Sequence, residues 1–444
     1  MTEMKTKIEL AFWFVLIAAT LFCRDYLGVG LNKYFVLAEY LLAFACLKAN
    51  GIEALIAFSM PFAYGLPFNY IALASVVFIV FKRKVLPEKI VFLALVYLAL
   101  QELAMTYWYS KIDLGAEAGY ISCLVLLVLI ATGETRNCKL MLVSFIVGTA
   151  IAFLIVILRT TETVSLESLL AGSARLGYGG SGAYGADGAV DISSMYVRFN
   201  PNEVGYYSLV SLGCGLLLLI KTDISRVLIL ASMFVALFAG VLSQSRTWMM
   251  MVTVLVITMV LLSIRRSRER RRALIAFGVV LIAAAVIVVK NPLLIETITR
   301  RFEGADFVTA NGRTELLEGY NNWFIHQSWR AFFGTGVVNY KEVTGLWNSM
   351  HNGIQQIYVC LGVVGAAVFV SILVYLGVRC ARTAEHITPV NTLPLIAALA
   401  FSQSIQIINP WSLVLPFALG FVALGVGGES RNGLHGVLRL RKMK

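Results

Sequence analysis

His351 is the side chain of this sequence whose type and setting best fit a chemical role. It stands in the polar stretch 348–353, directly before a long apolar segment. Imidazole titrates near neutral pH and can accept a proton from a hydroxyl group. His351 is therefore a candidate general base, and the competing interpretation is a helix-terminal residue bonded to the backbone. His326, in the preceding polar segment, is interpreted as a surface residue of a helix.

Several arginines in nearby polar segments are candidates for binding an anionic substrate. Arg246 follows an apolar run, and Arg313 opens a helical pattern. Arg175 and Arg198 lie in an earlier polar segment. A guanidinium group is permanently charged and can bond two phosphate oxygens at once, so the set indicates a diphosphate site. The competing interpretation is that each arginine reaches toward lipid head groups or pairs with a glutamate.

The elements that must position these side chains are membrane helices. The chain has 444 residues, of which 59% are hydrophobic and only 14% are charged. A soluble domain needs more polar surface than this. Apolar runs of the length that crosses a hydrocarbon core of about 30 Å recur throughout the sequence. We therefore predict an all-α polytopic membrane protein with about 12–14 transmembrane helices.

The predicted spans cover the chain from end to end. They are 8–23, 33–48, 52–64, 67–81, 88–107, 117–132, 139–158, 203–220, 226–242, 248–264, 274–290, 352–378, 391–408 and 412–427. Pro61 and Pro67 leave open whether 52–64 and 67–81 are two spans or a re-entrant hairpin. The first run lacks a small-residue cleavage site, so it is interpreted as a helix and not as a signal peptide.

Charge predicts the orientation. The formal net charge is +12, and the densest basic run is 265–272. With both termini in the cytoplasm, this run and the basic tail fall on the cytoplasmic side, as the positive-inside rule requires. The basic charge is thus explained by topology, and a nucleic-acid partner is not expected. The seven cysteines form no Cys-x-x-Cys pair, which argues against a structural zinc site.

This orientation divides the chain into five parts. They are N-terminal transmembrane helices at 1–158, a first extracytoplasmic loop at 159–202, central transmembrane helices at 203–290, a second extracytoplasmic loop at 291–350, and C-terminal transmembrane helices with a basic cytoplasmic tail at 351–444.

Both loops carry local signals. In the first, a glycine-rich centre at 177–185 predicts a flexible segment, and Asn200-Pro201 predicts a turn that caps the next helix. In the second, apolar residues within 315–331 predict an amphipathic helix that lies on the membrane, followed by a turn at 334–336.

Other chemistries find little support. Glu39 and Glu102 fall within predicted spans, but each is an isolated acid without an evident cation partner. The sequence has no P-loop, no Gly-x-Ser-x-Gly and no His-Glu-x-x-His motif. ATP-driven, serine-hydrolase and zinc-protease functions therefore lose support.

Three ordered motifs resemble the superfamily of bacterial O-antigen ligases and Wzy-type polysaccharide polymerases, over roughly residues 195–380. They are Ser243-Gln244-Ser245-Arg246, then Gly312-Arg313-Thr314-Glu315-Leu316 leading into Phe333-Gly334-Thr335-Gly336, and finally His351-Asn352 followed by Gly362 and Gly365. The last matches the His-Asn-x9-Gly-x-x-Gly pattern usual in ligases, and many polymerases carry much the same pattern. The turn Asn200-Pro201-Asn202 also fits the superfamily.

The resemblance implies a GT-C-like helical glycosyltransferase in the bacterial inner (plasma) membrane, with its active site on the extracytoplasmic face. The donor would be a glycan on undecaprenyl diphosphate. Arg246 and Arg313 would bind the diphosphate, and Arg198 and Arg175 would add to this grip. His351 would deprotonate or orient the acceptor hydroxyl, which attacks the anomeric carbon and inverts it.

Asn352, Asn202 and Glu315 would support these residues. No cofactor and no metal are expected, because arginines can stabilise the departing diphosphate. Membrane lipids, a flippase and a chain-length regulator are the further partners that the resemblance implies.

The acceptor separates the two branches of the superfamily. A polymerase joins the glycan to another lipid-linked repeat unit, whereas a ligase joins it to lipid A-core. The compact second loop and the stretch 332–340 resemble polymerases, and the nine-residue spacing after His351 resembles ligases. We predict a polymerase and retain the ligase as the alternative. A polyprenyl-lipid or solute transporter and a purely structural membrane protein are the alternatives of other classes.

Overall fold

The computed structural model describes most of the chain. The described residues are 2–84, 87–109, 113–133, 138–171, 174–179, 182–183, 197–222, 224–263, 268–293, 295–296, 299, 313–326, 329–346, 350–384, 387–408 and 411–426. Part of the predicted basic run and the whole predicted basic tail lie outside them.

Helices dominate the first half of the chain. They are α1 (Thr2–Asp25), α2 (Lys33–Cys46), α3 (Ala49–Ser59), a first 3₁₀ helix (Met60–Gly65), α4 (Phe68–Arg83), α5 (Lys89–Trp108), α6 (Leu114–Ala131), α7 (Cys138–Thr163), α8 (Leu166–Ala171), α9 (Pro201–Lys221) and α10 (Arg226–Ser243). Two residues of β1 (Tyr178–Gly179) pair antiparallel with β2 (Gly182–Ala183). This small hairpin lies within the segment that the sequence predicts to be flexible.

The second half continues in the same way. Its helices are α11 (Arg246–Ser263), α12 (Arg268–Lys290), α13 (Arg313–His326), α14 (Arg330–Phe333), α15 (Tyr340–Thr344), α16 (Gly353–Thr383), α17 (Pro389–Phe401), a second 3₁₀ helix (Trp411–Val414) and α18 (Leu415–Leu424).

Six of the described helices are long and apolar enough to cross a membrane. They are α5, α6, α7, α9, α10 and α16. Each of the other predicted spans also falls on helix, so the prediction of an all-α polytopic membrane protein is confirmed. The predicted span 391–408 is too long, because α17 ends at Phe401 and a turn follows. The doubtful pair 52–64 and 67–81 becomes α3, the first 3₁₀ helix and α4, and the change of helix type falls at Met60-Pro61.

Helix α9 lies at the centre of the bundle. It packs against α7, α10 and α17, and every residue of its length from Val204 to Leu219 is buried. A helix that is apolar on all sides belongs in the interior of a large helical protein. Near the start of α9, Asn202 and Glu203 are only half-buried.

The opposite end of the bundle carries buried and exposed ion pairs. Arg83, at the end of α4, pairs with Glu53 and donates to the Leu129 carbonyl at 3.0 Å. Arg379, in the last turns of α16, pairs with Glu88 at 2.6 Å. The long helices α10 and α16 lead away from this end, so the turns at 243–246 and 350–353 lie at the other end. The turn at 401–404 lies there too, because the Gly353 amide donates to the Ser402 carbonyl.

Candidate active site

The start of α9 is fixed by a capping box. The Asn200 side chain accepts from the Asn202 amide at 3.0 Å, and the Glu203 carboxylate accepts from the Asn200 amide at 2.9 Å. Pro201 occupies the first turn, where its missing N–H costs nothing. The turn and cap that the sequence predicts here are confirmed. Arg198 interacts electrostatically with the Glu203 carboxylate, so this predicted phosphate ligand lies beside an acid.

Arg246 opens α11 directly after a tight turn between two helices. Gln244 adopts a left-handed conformation with φ 49°, which ends α10, and its side-chain Nε2 donates to the Ala174 carbonyl at 2.8 Å. The neighbouring Ser245 hydroxyl donates to Asn202 at 3.2 Å. This bond joins the Arg246 turn to the start of α9, and Arg246 itself is half-buried.

Arg175 reaches the same turn from the first loop. Its Nε donates to the Ser243 carbonyl at 3.0 Å, and the next amide, of Leu176, donates to the Leu242 carbonyl at 2.9 Å. Two complete helices, α9 and α10, separate Arg175 from Arg246 in sequence, yet the fold brings Arg175 to the turn that precedes Arg246. One donor of the Arg175 guanidinium group, Nε, therefore bonds the last residue of α10.

His351 lies in the turn that leads into α16. The next residue, Asn352, caps the helix by accepting from the amides of Ile354 and Gln355 at 3.0 and 3.1 Å. The Gly353 amide donates to the Ser402 carbonyl at 2.5 Å. His351 is half-buried. Asn352 is thus a helix cap, and the supporting role in catalysis stays a prediction.

Residues 402–404 connect the two turns. Ser402 bonds Gly353 in the His351 turn, and the Ser404 hydroxyl lies 2.5 Å from the Thr247 hydroxyl, one residue after Arg246. A Cβ atom at Gly353 would lie 2.9 Å from the Ser402 carbonyl oxygen, which shows how closely the segments approach. The fold therefore brings the Arg175, Arg246 and His351 segments to one region at the same end of the bundle.

The backbone conformation explains why Gly362, the first glycine of the third motif, is a glycine. Gly362 interrupts α16 with φ 64°, and the turn at 333–336 fills the break. The Thr335 and Gly336 amides donate to the Val359 and Cys360 carbonyls, each at 3.0 Å. These are carbonyls that the interrupted helix would otherwise leave without a partner. The second and third motifs are thus packed against each other.

Two side chains of α5 hold this turn and were not predicted to do so. The Glu102 carboxylate accepts from the amides of Val337 and Val338 at 2.8 and 3.0 Å. The side-chain Nε2 of Gln101 donates to the backbone carbonyls of Phe333 and Leu361 at 2.6 and 2.5 Å. The sequence indicated that Glu102 is an isolated acid. The structure shows instead that its carboxylate is bonded to backbone amides. Every residue except proline has a backbone N–H, so the types of residues 337 and 338 do not indicate this contact. The sequence alone shows only an acid within a predicted span.

The amphipathic helix of the second loop is α13, and it packs on the first turns of α16. Gln355 donates to the Leu317 carbonyl at 2.8 Å and to Asn321 at 3.1 Å. Leu316 and Tyr320 are buried, and burial raises the pKa of Tyr320 to about 12. Leu317 is exposed. The helix ends at His326, five residues before the predicted limit.

The remaining predicted residues have mixed outcomes. Arg313 is the first residue of α13, but its side chain lies outside what the structure describes. Glu315 is exposed in the first turn of that helix. His326 is exposed and its Nδ1 lies 2.7 Å from the Asn322 carbonyl, as expected of a surface residue. Within the described part of the chain, no group of three or more His, Cys, Asp or Glu side chains is arranged to hold a metal ion.

Fold and site together define a polytopic helical membrane protein with cationic groups and an imidazole at one end. The family model Wzy_C, described as O-antigen ligase, matches residues 231–370. The match confirms the resemblance to the O-antigen ligase and Wzy superfamily, and it contains Arg246, Arg313 and His351. No curated protein shows significant similarity to the chain.

Proposed function

We propose that this protein transfers a glycan from a polyprenyl diphosphate carrier to a sugar hydroxyl at the outer face of the bacterial inner membrane. The observation that carries the proposal is the contact between the Arg246 turn and the His351 turn through residues 402–404. The family match over 231–370 gives independent support, because it spans both turns and the start of α13. The proposed donor is an undecaprenyl-diphosphate-linked oligosaccharide.

In the proposed reaction, His351 accepts the proton of the acceptor hydroxyl. The hydroxyl oxygen forms a new bond to the anomeric carbon of the donor while the bond from that carbon to the diphosphate oxygen breaks. The electron pair of the broken bond remains on the diphosphate. Arg246 and Arg313 bind this group, with Arg175 and Arg198 nearby. Preorganised cations stabilise charge that develops in the transition state, and a single displacement inverts the anomeric centre.

We propose a polymerase, in which the acceptor is another lipid-linked repeat unit. The compact second loop supports this choice, since α13 and α14 already fold back onto α16 and leave little chain for a separate domain. The ligase, with lipid A-core as acceptor, is the second candidate. It is favoured by the description of the matching family model.

Deleting the gene and separating the surface polysaccharide on a gel tests both candidates. A product of a single repeat unit on its carrier or on lipid A indicates the polymerase. Long polymer that does not reach lipid A indicates the ligase. An unchanged polysaccharide pattern, in a strain that lacks a second copy of the gene, contradicts both.

A further inference from the structure

A pocket of about 220 Å³ opens beside the candidate active site. The first 3₁₀ helix and the start of α4 form most of its wall, and the second 3₁₀ helix contributes Ser412. Sites that enclose a drug-sized ligand measure roughly 300–1,000 Å³. The pocket is therefore of the size that holds one ring of a ligand rather than a whole chain.

The lining combines aromatic rings with hydrogen-bonding groups. The aromatic lining residues are Tyr64, Phe68 and Tyr70, and the polar ones are Asn69 and Ser412, of which Ser412 is buried and bonds Tyr207. The face of an aromatic ring is negative and attracts C–H groups, which cover the faces of a pyranose ring. An amide can donate to and accept from the hydroxyl groups around the rim of the sugar. This chemistry fits a neutral saccharide better than a phosphate or an acyl chain.

One wall of the pocket is bonded to the start of α9. The Tyr64 hydroxyl donates to the Glu203 carboxylate at 2.8 Å. Glu203 neighbours Asn202, which bonds Ser245 in the Arg246 turn. Tyr70 is 51% exposed, so its ring is available to a ligand at the mouth of the pocket.

Ser412, which also lines the pocket, comes in sequence after a segment that is bonded to the start of α16. The amides of Ile407 and Ile408 both donate to Gln356 at 3.0 Å, and Gln356 lies in the second turn after His351. Ser412 is four residues beyond Ile408, a reach of at most about 14 Å along the chain. The lining residues Tyr64 and Ser412 are therefore connected, through hydrogen bonds and short stretches of chain, to the segments that carry Arg246 and His351.

We infer that this pocket binds one pyranose ring of the acceptor glycan and so helps to select it. The identity of the acceptor rests on the proposed function, whereas the binding of a sugar ring does not. Tyr70 stacks on the ring, and Asn69 bonds its hydroxyl groups. Tyr64 is held in the wall by the bond from its hydroxyl to Glu203.

Binding is tested without turnover. The full chain is placed in nanodiscs of phosphatidylethanolamine and phosphatidylglycerol, which carry no sugar, and the probe is the free oligosaccharide repeat unit released from the cell's own polysaccharide. Saturation-transfer NMR measures which sugar protons lie against the protein. Tyr70→Ala should weaken binding about tenfold, and Tyr70→Phe should bind within twofold of wild type. Tyr34→Ala is the matched control, since Tyr34 is 63% exposed and does not line the pocket.

Kinetics give a second readout with the lipid-linked substrates. Tyr70→Ala should raise KM for the acceptor about tenfold and leave kcat and the KM for the donor within twofold. Equal sugar binding by Tyr70→Ala and wild type, or no saturable sugar binding by wild type, overturns the inference. If His351→Ala still transfers glycan while Tyr70→Ala loses sugar binding, the proposed catalytic role fails and the saccharide site stands.

Discussion

Gly334 and Gly362 lie back to back, so that a Cβ atom on either would come within 2.5 Å of the backbone nitrogen of the other. Both have positive φ, at 75° and 64°. Two backbones can approach this closely only where neither carries a side chain. The contact joins the turn of the second loop to the break in α16.

Gly362→Ala should destabilise the protein by about 2 kcal/mol or more, because it adds backbone strain to a backbone clash. Thermal unfolding in detergent measures this change. Gly345→Ala is the matched control for the strain alone, since Gly345 has φ 69° and a Cβ there would meet nothing within 4 Å. That variant should lose only about 1–2 kcal/mol. Equal stability of the two variants would contradict the packing described for Gly362.

His351→Ala should abolish glycan transfer while membrane insertion and abundance stay normal. The reason is that the variant loses the group proposed to accept the proton, whereas the cap made by Asn352 remains. Polysaccharide chain length and the amount of protein in the membrane are the two measurements. His326→Ala is the control, because His326 is exposed on α13. Glycan chains of normal length in His351→Ala would refute the assignment.

Arg313→Lys should reduce transfer at least tenfold. Lysine keeps the charge but cannot present two parallel donors to a diphosphate. The measurement is the rate of transfer at saturating acceptor. Arg226→Lys provides the control, since Arg226 is also the first residue of a helix but lies at the opposite end of the bundle. Full activity of Arg313→Lys would mean that Arg313 is only a surface charge.

Glu102→Ala should lower both stability and transfer. It leaves the buried amide of Val337 and the part-buried amide of Val338 without their acceptor, at a cost of about 1–3 kcal/mol for each buried group. Glu102→Gln keeps one acceptor oxygen and should lie between Ala and wild type. Thermal unfolding ranks the three proteins.

Glu88→Ala is the control for the loss of a glutamate. Glu88 is exposed and pairs with Arg379 at the far end of the bundle, and an exposed ion pair contributes at most about 1 kcal/mol. A Glu102→Ala variant that is as stable as Glu88→Ala would show that the turn at 333–338 does not depend on α5.

Chelation should leave transfer unchanged, because guanidinium groups supply the positive charge in the proposed reaction. The experiment compares the initial rate of the purified protein with EDTA and with added magnesium. A preparation that is inactive in EDTA and recovers with magnesium would contradict the scheme.

The sequence predicted the helical membrane class because apolar runs of sufficient length admit few other structures. It also predicted the cap at Asn200 and the surface position of His326, since both depend on neighbours in sequence. The predicted end of the span 391–408 was wrong, because Ile405, Ile407 and Ile408 extend the apolar pattern, whereas the bonds that hold this turn to Gly353 and Gln356 are long-range.

The candidate site was predictable by residue type but not by arrangement. Arg175 and Arg246 stood out as charges near apolar segments, yet only the fold shows that Arg175 bonds the turn before Arg246. Residues 402–404 gave no signal at all, because two serines within the predicted span 391–408 form no pattern that indicates contact with other turns. The role of Glu102 was missed because its partners are main-chain amides from a distant loop.

The interruption at Gly362 makes the first nine residues of α16 a short rod of about 13 Å, set apart from the long helix that follows. The chain at 333–336 bonds the carboxyl end of this rod, and the turn that holds His351 lies at its amino end, where Gly353 bonds Ser402. The position of the imidazole therefore depends on the second loop, through the bonds at 333–336, as well as on the long helix itself.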